Sequence, residues 1–125
     1  MRQVFLDTET TGLNPATGDR IVEIGCIEMV HRKLTGRTLH CYLNPERDMP
    51  AEAEKIHGLS SEFLSDKPLF AHVADEVVAM LEGAEVIIHN ADFDVGFLDH
   101  EFKRINRGPV RELVAKVTDS LHMAR

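Results

Sequence analysis

Apolar residues follow two different periods along this chain, and each predicts its own elements. Val4-Phe5-Leu6 forms a short buried run that Thr11-Gly12-Leu13-Asn14-Pro15 soon interrupts, which predicts a strand over residues 2–8 and then a loop. Ile21, Val22, Ile24, Cys26 and Ile27 mark a second strand over 20–30, and residues 37–43 a third, with His31-Arg32-Lys33-Leu34-Thr35-Gly36 as the turn between them. Together they predict a three-stranded antiparallel meander. Asn44-Pro45 closes it, and residues 46–59 form a polar connector with a short helical piece at 51–55.

The period then lengthens. Pro68 suits the first turn of a helix, and Leu69, His72, Val73, Glu76, Val77, Met80 and Leu81 recur at helical spacing until Gly83. Residues 84–89 are a compact buried strand. Phe93, Phe97, Leu98 and Phe102 lay an apolar stripe along a second helix that ends near Arg107-Gly108-Pro109. A last strand is predicted at 113–117, and Thr118-Asp119-Ser120 offers the cap of a helix that has room for little more than a turn before Arg125. Three strands followed by helix, strand, helix, strand predict an α/β domain with a mixed five-stranded sheet. A final helix from Asp119 to Arg125 is too short to cover much of a sheet face.

Composition narrows the function classes. A chain of 125 residues with 43% hydrophobic content is expected to be one globular domain. It holds no apolar run of the ~20 residues that span a bilayer and no signal-peptide core, so a cytoplasmic protein with no membrane partner is expected. Cys26 and Cys41 are expected as reduced thiols. A net charge of -7 argues against binding nucleic acid by charge alone. It leaves room for an enzyme that reaches phosphate through bound cations held by carboxylates.

Two clusters supply such carboxylates. In Asp7-Thr8-Glu9-Thr10-Thr11-Gly12 the two-residue period of a strand turns Asp7 and Glu9 to one face at the strand's end. Two charges ~4 Å apart at an effective dielectric near 20 repel by about 4 kcal/mol, which favours protonation of one or capture of a hard cation such as Mg²⁺ or Mn²⁺. The second cluster, His89-Asn90-Ala91-Asp92-Phe93-Asp94, lies where a buried strand becomes a helix and puts Asp94 in the helix's first turn. If the two strands are neighbours, Asp94 faces Asp7 and Glu9. Asp92, Asp99 and Asp119 are expected as caps or solvated carboxylates. His31, His40, His72, His100 and His122 show no ligand spacing.

These clusters resemble the first two motifs of the DEDD superfamily of 3′-to-5′ exonucleases. Within it the chain is most similar to the proofreading epsilon subunits of bacterial DNA polymerase III, through Ile56-His57-Gly58-Leu59, Phe63-Leu64-Ser65-Asp66-Lys67-Pro68 and Val117-Thr118-Asp119-Ser120-Leu121. The resemblance implies a ribonuclease H-like fold and removal of nucleotides from a single-stranded or frayed DNA 3′ end with two ions, Mg²⁺ or Mn²⁺. It also implies polymerase III subunits as partners. By resemblance Asp7, Glu9 and Asp94 are the metal ligands and catalytic residues. Thr8 and Thr10 would hold the 3′ hydroxyl, and Leu13, Ile56, His57 and Phe93 would line the slot for the last base. Asn90 would order the strand-to-helix turn.

The superfamily's third motif, His-x-x-x-x-Asp, has no counterpart here. The only histidine with an aspartate five positions on is His89, and its partner Asp94 already belongs to the second motif. The expectation is therefore a domain truncated at its C-terminus, with three of four acidic ligands, no matching base, little activity, and an exposed apolar face prone to self-association. Two other readings stay open: a non-catalytic binding or structural module, and a relative that trims RNA or short oligonucleotides.

Overall fold

A computed structural model describes residues 2–123 and arranges the predicted strands in one sheet of order β3-β2-β1-β4-β5. The central strand, β1 (Arg2–Thr10), pairs antiparallel with β2 (Ile21–Val30) and parallel with β4 (Glu85–Ile88). The edges are β3 (Lys33–Tyr42) and β5 (Lys116–Asp119). The mixed α/β architecture is the expected one.

Two helices pack on one face of this sheet, α3 (Phe70–Leu81) and α4 (Ala91–Arg104). Val4, Leu6, Ile24, Cys26, Val86 and Ile88 from the strands meet Phe70, Val77 and Leu81 of α3 and Val95, Leu98 and Phe102 of α4 in the main buried core. Alternation along β1 sends Phe5 to the opposite face, where it stays exposed beside Ile27 above a groove of about 570 Å³. The single turn α6 (Ser120–Met123) reaches that groove, with Ser120 on its wall. The predicted end of this last helix, at Arg125, lies outside the described residues.

Several boundaries differ from expectation, each for a local reason. β1 continues past Thr8 to Thr10 because Glu9 stays paired with Glu23 and Thr11 N–H donates to Arg20 O at 2.9 Å. The β2–β3 turn is only His31-Arg32, both at positive φ (52° and 64°), the hairpin geometry that matches strand twist. Neither residue is the Gly or Asn that normally signals it. The helical piece at 51–55 extends as α1 (Ala51–His57), and the connector hides a further turn, α2 (Ser61–Leu64). Ser60 caps α2 by accepting Phe63 N–H, and Leu64 joins Val22, Met49 and Ala53 in a small second core. Pro68 stands outside α3, its carbonyl occupied by Asn44 N–H at 2.9 Å. The predicted strand at 113–117 is displaced, because residues from Val110 first make a helical turn, α5 (Val110–Leu113). Pairing of β5 with β4 begins only at Lys116, opposite Glu85.

Candidate active site

The parallel pairing of β1 with β4 puts the end of β4 beside Leu6, so the chain enters α4 next to Asp7. Asn90 makes that entry in the left-handed region (φ 64°, ψ 60°), a conformation asparagine tolerates better than most residues. Its side chain does not cap α4. The neighbouring strand does so instead: Asp119 at the end of β5 accepts Asn90 N–H with Oδ1 and Ala91 N–H with Oδ2, both at 3.0 Å. Oδ1 also accepts Leu121 N–H at 2.9 Å, so Asp119 caps its own helical turn as expected and anchors α4 as well.

Along β1, Thr8 points under α4 and is buried, while Asp7 is exposed and Glu9 half-buried on the other face. Asp94 comes down from the first turn of α4 and is only 5% exposed. Burial pushes its carboxyl up to about 7, and the charges of Asp7 and Glu9 push the same way; the nearby Thr8 hydroxyl and amide offset part of the rise. Asp94 Oδ2 and Thr8 Oγ1 are both buried without a hydrogen-bond partner. A polar atom in that state needs a reason, because no hydrogen bond made at that atom offsets its desolvation. Burial also raises the Glu9 carboxyl, with Asp7 and Glu23 adding to the rise and His57 opposing it. Among the described residues no three or more His, Cys, Asp or Glu are gathered closely enough to hold a metal ion, so Asp7, Glu9 and Asp94 are electrostatic neighbours rather than a formed ligand cluster.

Thr8, Thr10, Leu13, Ile56, His57 and Phe93 converge on a cleft of about 560 Å³ beside Glu9. Leu13 and Ile56 are exposed at its rim. Asn90 is not on its wall; it belongs to the strand-to-helix turn. His57 ends α1 with both ring nitrogens engaged: Nδ1 accepts Leu59 N–H at 3.0 Å, which leaves Nε2 to donate to Thr10 O at 3.1 Å. It therefore braces α1 against β1 from within the cleft.

Sequence reasoning missed two contributors. Glu23 stands opposite Glu9 in the β1–β2 register, adds its charge to the group, and contacts His40 Nε2. No sequence signal could have placed it without the register. Asp19 accepts Thr11 Oγ1–H at 2.9 Å and Asn14 N–H at 3.1 Å, and a Cβ on Gly12 would stand 2.4 Å from its carboxylate. The glycine was visible; its neighbour was not.

The family model for exonucleases of the RNase T type matches residues 4–125. The chain belongs to this exonuclease family. Among curated relatives, the DNA polymerase III epsilon subunit of Rickettsia conorii is 55% identical over 126 residues, covering 100% of this chain and 55% of the relative. That of Escherichia coli K12 is 51% identical over 129 residues, covering 99% and 53%. The chain thus spans about half the length of the curated relatives it matches. Among solved structures, E. coli exonuclease I bound to single-stranded DNA superposes with a TM-score of 0.87 in metal-free and zinc-bound forms alike. Each is 19% identical and covers 98% of this chain, and this chain covers 29% and 28% of theirs, a likeness of fold, which is ribonuclease H-like.

Proposed function

We propose that this exonuclease removes 3′-terminal nucleotides from single-stranded or frayed DNA, in the 3′-to-5′ direction, as the proofreading activity of a cytoplasmic DNA polymerase III. The observation that carries the reading is the buried Asp94 carboxylate, its Oδ2 without a hydrogen-bond partner, placed against the charges of Asp7 and Glu9, beside a cleft wide enough for a nucleoside. The relatives' identity as epsilon subunits supports the polymerase partnership. The DNA-bound exonuclease I neighbours support the fold on which it rests.

The residues fit divalent cations. Their donors are all oxygen, the set that suits Mg²⁺ or Mn²⁺, and a bound cation would relieve the mutual repulsion and occupy the orphaned Asp94 oxygen. Asp7, Glu9 and Asp94 would hold the ions. When bound, such ions activate the attacking water and stabilise the departing 3′ oxygen. The chain's own groups do the positioning. Backbone at Thr8 and Thr10 holds the terminal 3′ hydroxyl, while Leu13, Ile56 and Phe93 clamp the last base and exclude water from it. His57 holds the Thr10 carbonyl in place.

His57 has both nitrogens committed to backbone partners, and His89 lies against Ser120 at 3.4 Å. With His57 so committed and no counterpart of His-x-x-x-x-Asp in the sequence, slow turnover is expected of this chain, ~10²–10⁴ below an enzyme with a positioned base. The same observation favours a second reading, a module that binds DNA without cutting it. Mn²⁺ calorimetry on this chain and on Asp7→Ala, with release of a labelled 3′ nucleotide, tests both. Binding abolished in the variant, with slow release by the parent, supports the exonuclease; carboxylate-independent binding or none sinks it.

A further inference from the structure

We propose that the ion pair between Arg20 and the buried Glu101 is a positioning device that sets the width of the cleft, tying the loop that carries Leu13 to the helix that carries Phe93. The inference rests on the cleft being the nucleotide slot described above. Glu101 is only 2% exposed and sits in the third turn of α4. Its carboxylate accepts Arg20 Nε at 2.9 Å and Nη2 at 2.8 Å, and Oε2 takes Ile21 N–H as well, at 3.2 Å. A two-pronged guanidinium contact fixes distance and angle together.

From Arg20 the bonding runs on into the loop. Arg20 N–H donates to Thr11 Oγ1 at 3.0 Å, and Thr11 N–H donates to Arg20 O at 2.9 Å. Thr11 Oγ1–H donates to Asp19, which also accepts Asn14 N–H and Arg47 Nη1–H. A continuous path of hydrogen bonds therefore leads from α4 to Asn14, the neighbour of Leu13. The 3-10 turn at Pro15–Thr17 completes it by resting on α4. Phe93 lies on α4 eight residues before Glu101, about 12 Å along the helix, and packs against Phe97 with ring centroids 5.0 Å apart and planes tilted by 47°. The two walls of the cleft are thus parts of one bonded frame.

Stability alone does not account for a charged pair in this place. Apolar side chains of similar volume often serve a buried site equally well, whereas they hold neither angle nor register. That contrast supplies the test.

The double variant Arg20→Met with Glu101→Leu, and separately Arg20→Lys, are to be compared with the parent for melting temperature, Mn²⁺ affinity, and affinity for thymidine 5′-monophosphate at saturating Mn²⁺. The expected result is a double variant that folds and binds Mn²⁺ within about twofold of the parent but binds the nucleotide about tenfold or more weakly, as slight misplacement of binding groups does. Arg20→Lys, which keeps the charge and loses the fork, should show the same split and carries the test if the double variant does not fold. Unchanged nucleotide affinity in folded variants overturns the inference, because the pair is then only structural. Equal losses of Mn²⁺ and nucleotide overturn it too, because the pair then supports the whole site. If the parent binds Mn²⁺ but no nucleotide, the slot itself is refuted, and the inference falls with it.

Discussion

Two buried carboxylates seven positions apart on the same face of α4 meet opposite fates. Glu101 has both oxygens engaged by Arg20, one of them also by Ile21 N–H, and is satisfied inside the protein. Asp94 has no such partner on Oδ2, and burial beside two like charges raises its carboxyl to about 7. Helix, residue class and burial are shared, so what the rest of the fold presents decides the difference. A carboxylate completed by protein is structural; one left incomplete by protein is ready for something from solution.

Removing the incomplete group should have the largest effect on activity. Asp94→Ala or Asp7→Ala is expected to lower 3′-nucleotide release by roughly 10²–10³, the effect of losing one group that stabilises developing charge, with Mn²⁺ binding lost in calorimetry. A variant that kept both would break the contrast. Glu101→Leu should dominate in stability. It leaves the partly buried Arg20 guanidinium with only the Glu46 carboxylate, 3.9 Å away, and should cost about 3 kcal/mol, the low end for a broken buried pair, read as a lower denaturant midpoint, and Arg20→Met in the same chain should restore most of it.

The sign reverses at Asp94. With its folded value near 7 and its ordinary value 3.8, the native state holds the proton more tightly, so stability of the metal-free chain is fully present at the acid end. It falls as pH rises from about 4 to 7 and levels off above. Asp94→Asn should therefore stabilise the metal-free chain by about 2 kcal/mol at pH 8, where solvent screening takes part of the full linkage, and hardly at pH 4. Added Mn²⁺ should raise the melting temperature of the parent and leave that of Asp94→Asn unmoved. Parallel pH profiles of parent and variant would count against an uncompensated Asp94. The smallest effect is expected from Asp119→Ala, which removes the acceptor for two N–H groups at the start of α4 and should cost about 1–2 kcal/mol. Melting curves at pH 7 measure it.

Much of the site was legible because it is local. The period of a strand turns Asp7 and Glu9 to one side, and the spacing from His89 to Phe93 puts Asp94 in a first helical turn, whatever surrounds them. The sheet's mixed character followed from element order. The displaced last strand was not legible, since Leu113 to Val117 carries the same apolar pattern in either position and only pairing with β4 selects Lys116 as its start. Sequence marks Asp119 as a helix cap, correctly for its own turn, but a residue that can cap the turn after it gives no sign that it also anchors a helix 28 residues earlier.

Acquired by sequence alone, then, were the elements, the facing of adjacent carboxylates and the motifs that mark the exonuclease family, because bond geometry and helical or strand period act over a few residues. Tertiary structure alone decided which carboxylate would be completed. Arg20 reaches Glu101 across 81 positions, and Glu23 reaches Glu9 through strand register. His57 reaches Thr10 across 47 positions. Contacts at such separations are set by how whole elements pack. That packing pairs the charge of Glu101 and leaves an oxygen of Asp94 without a partner.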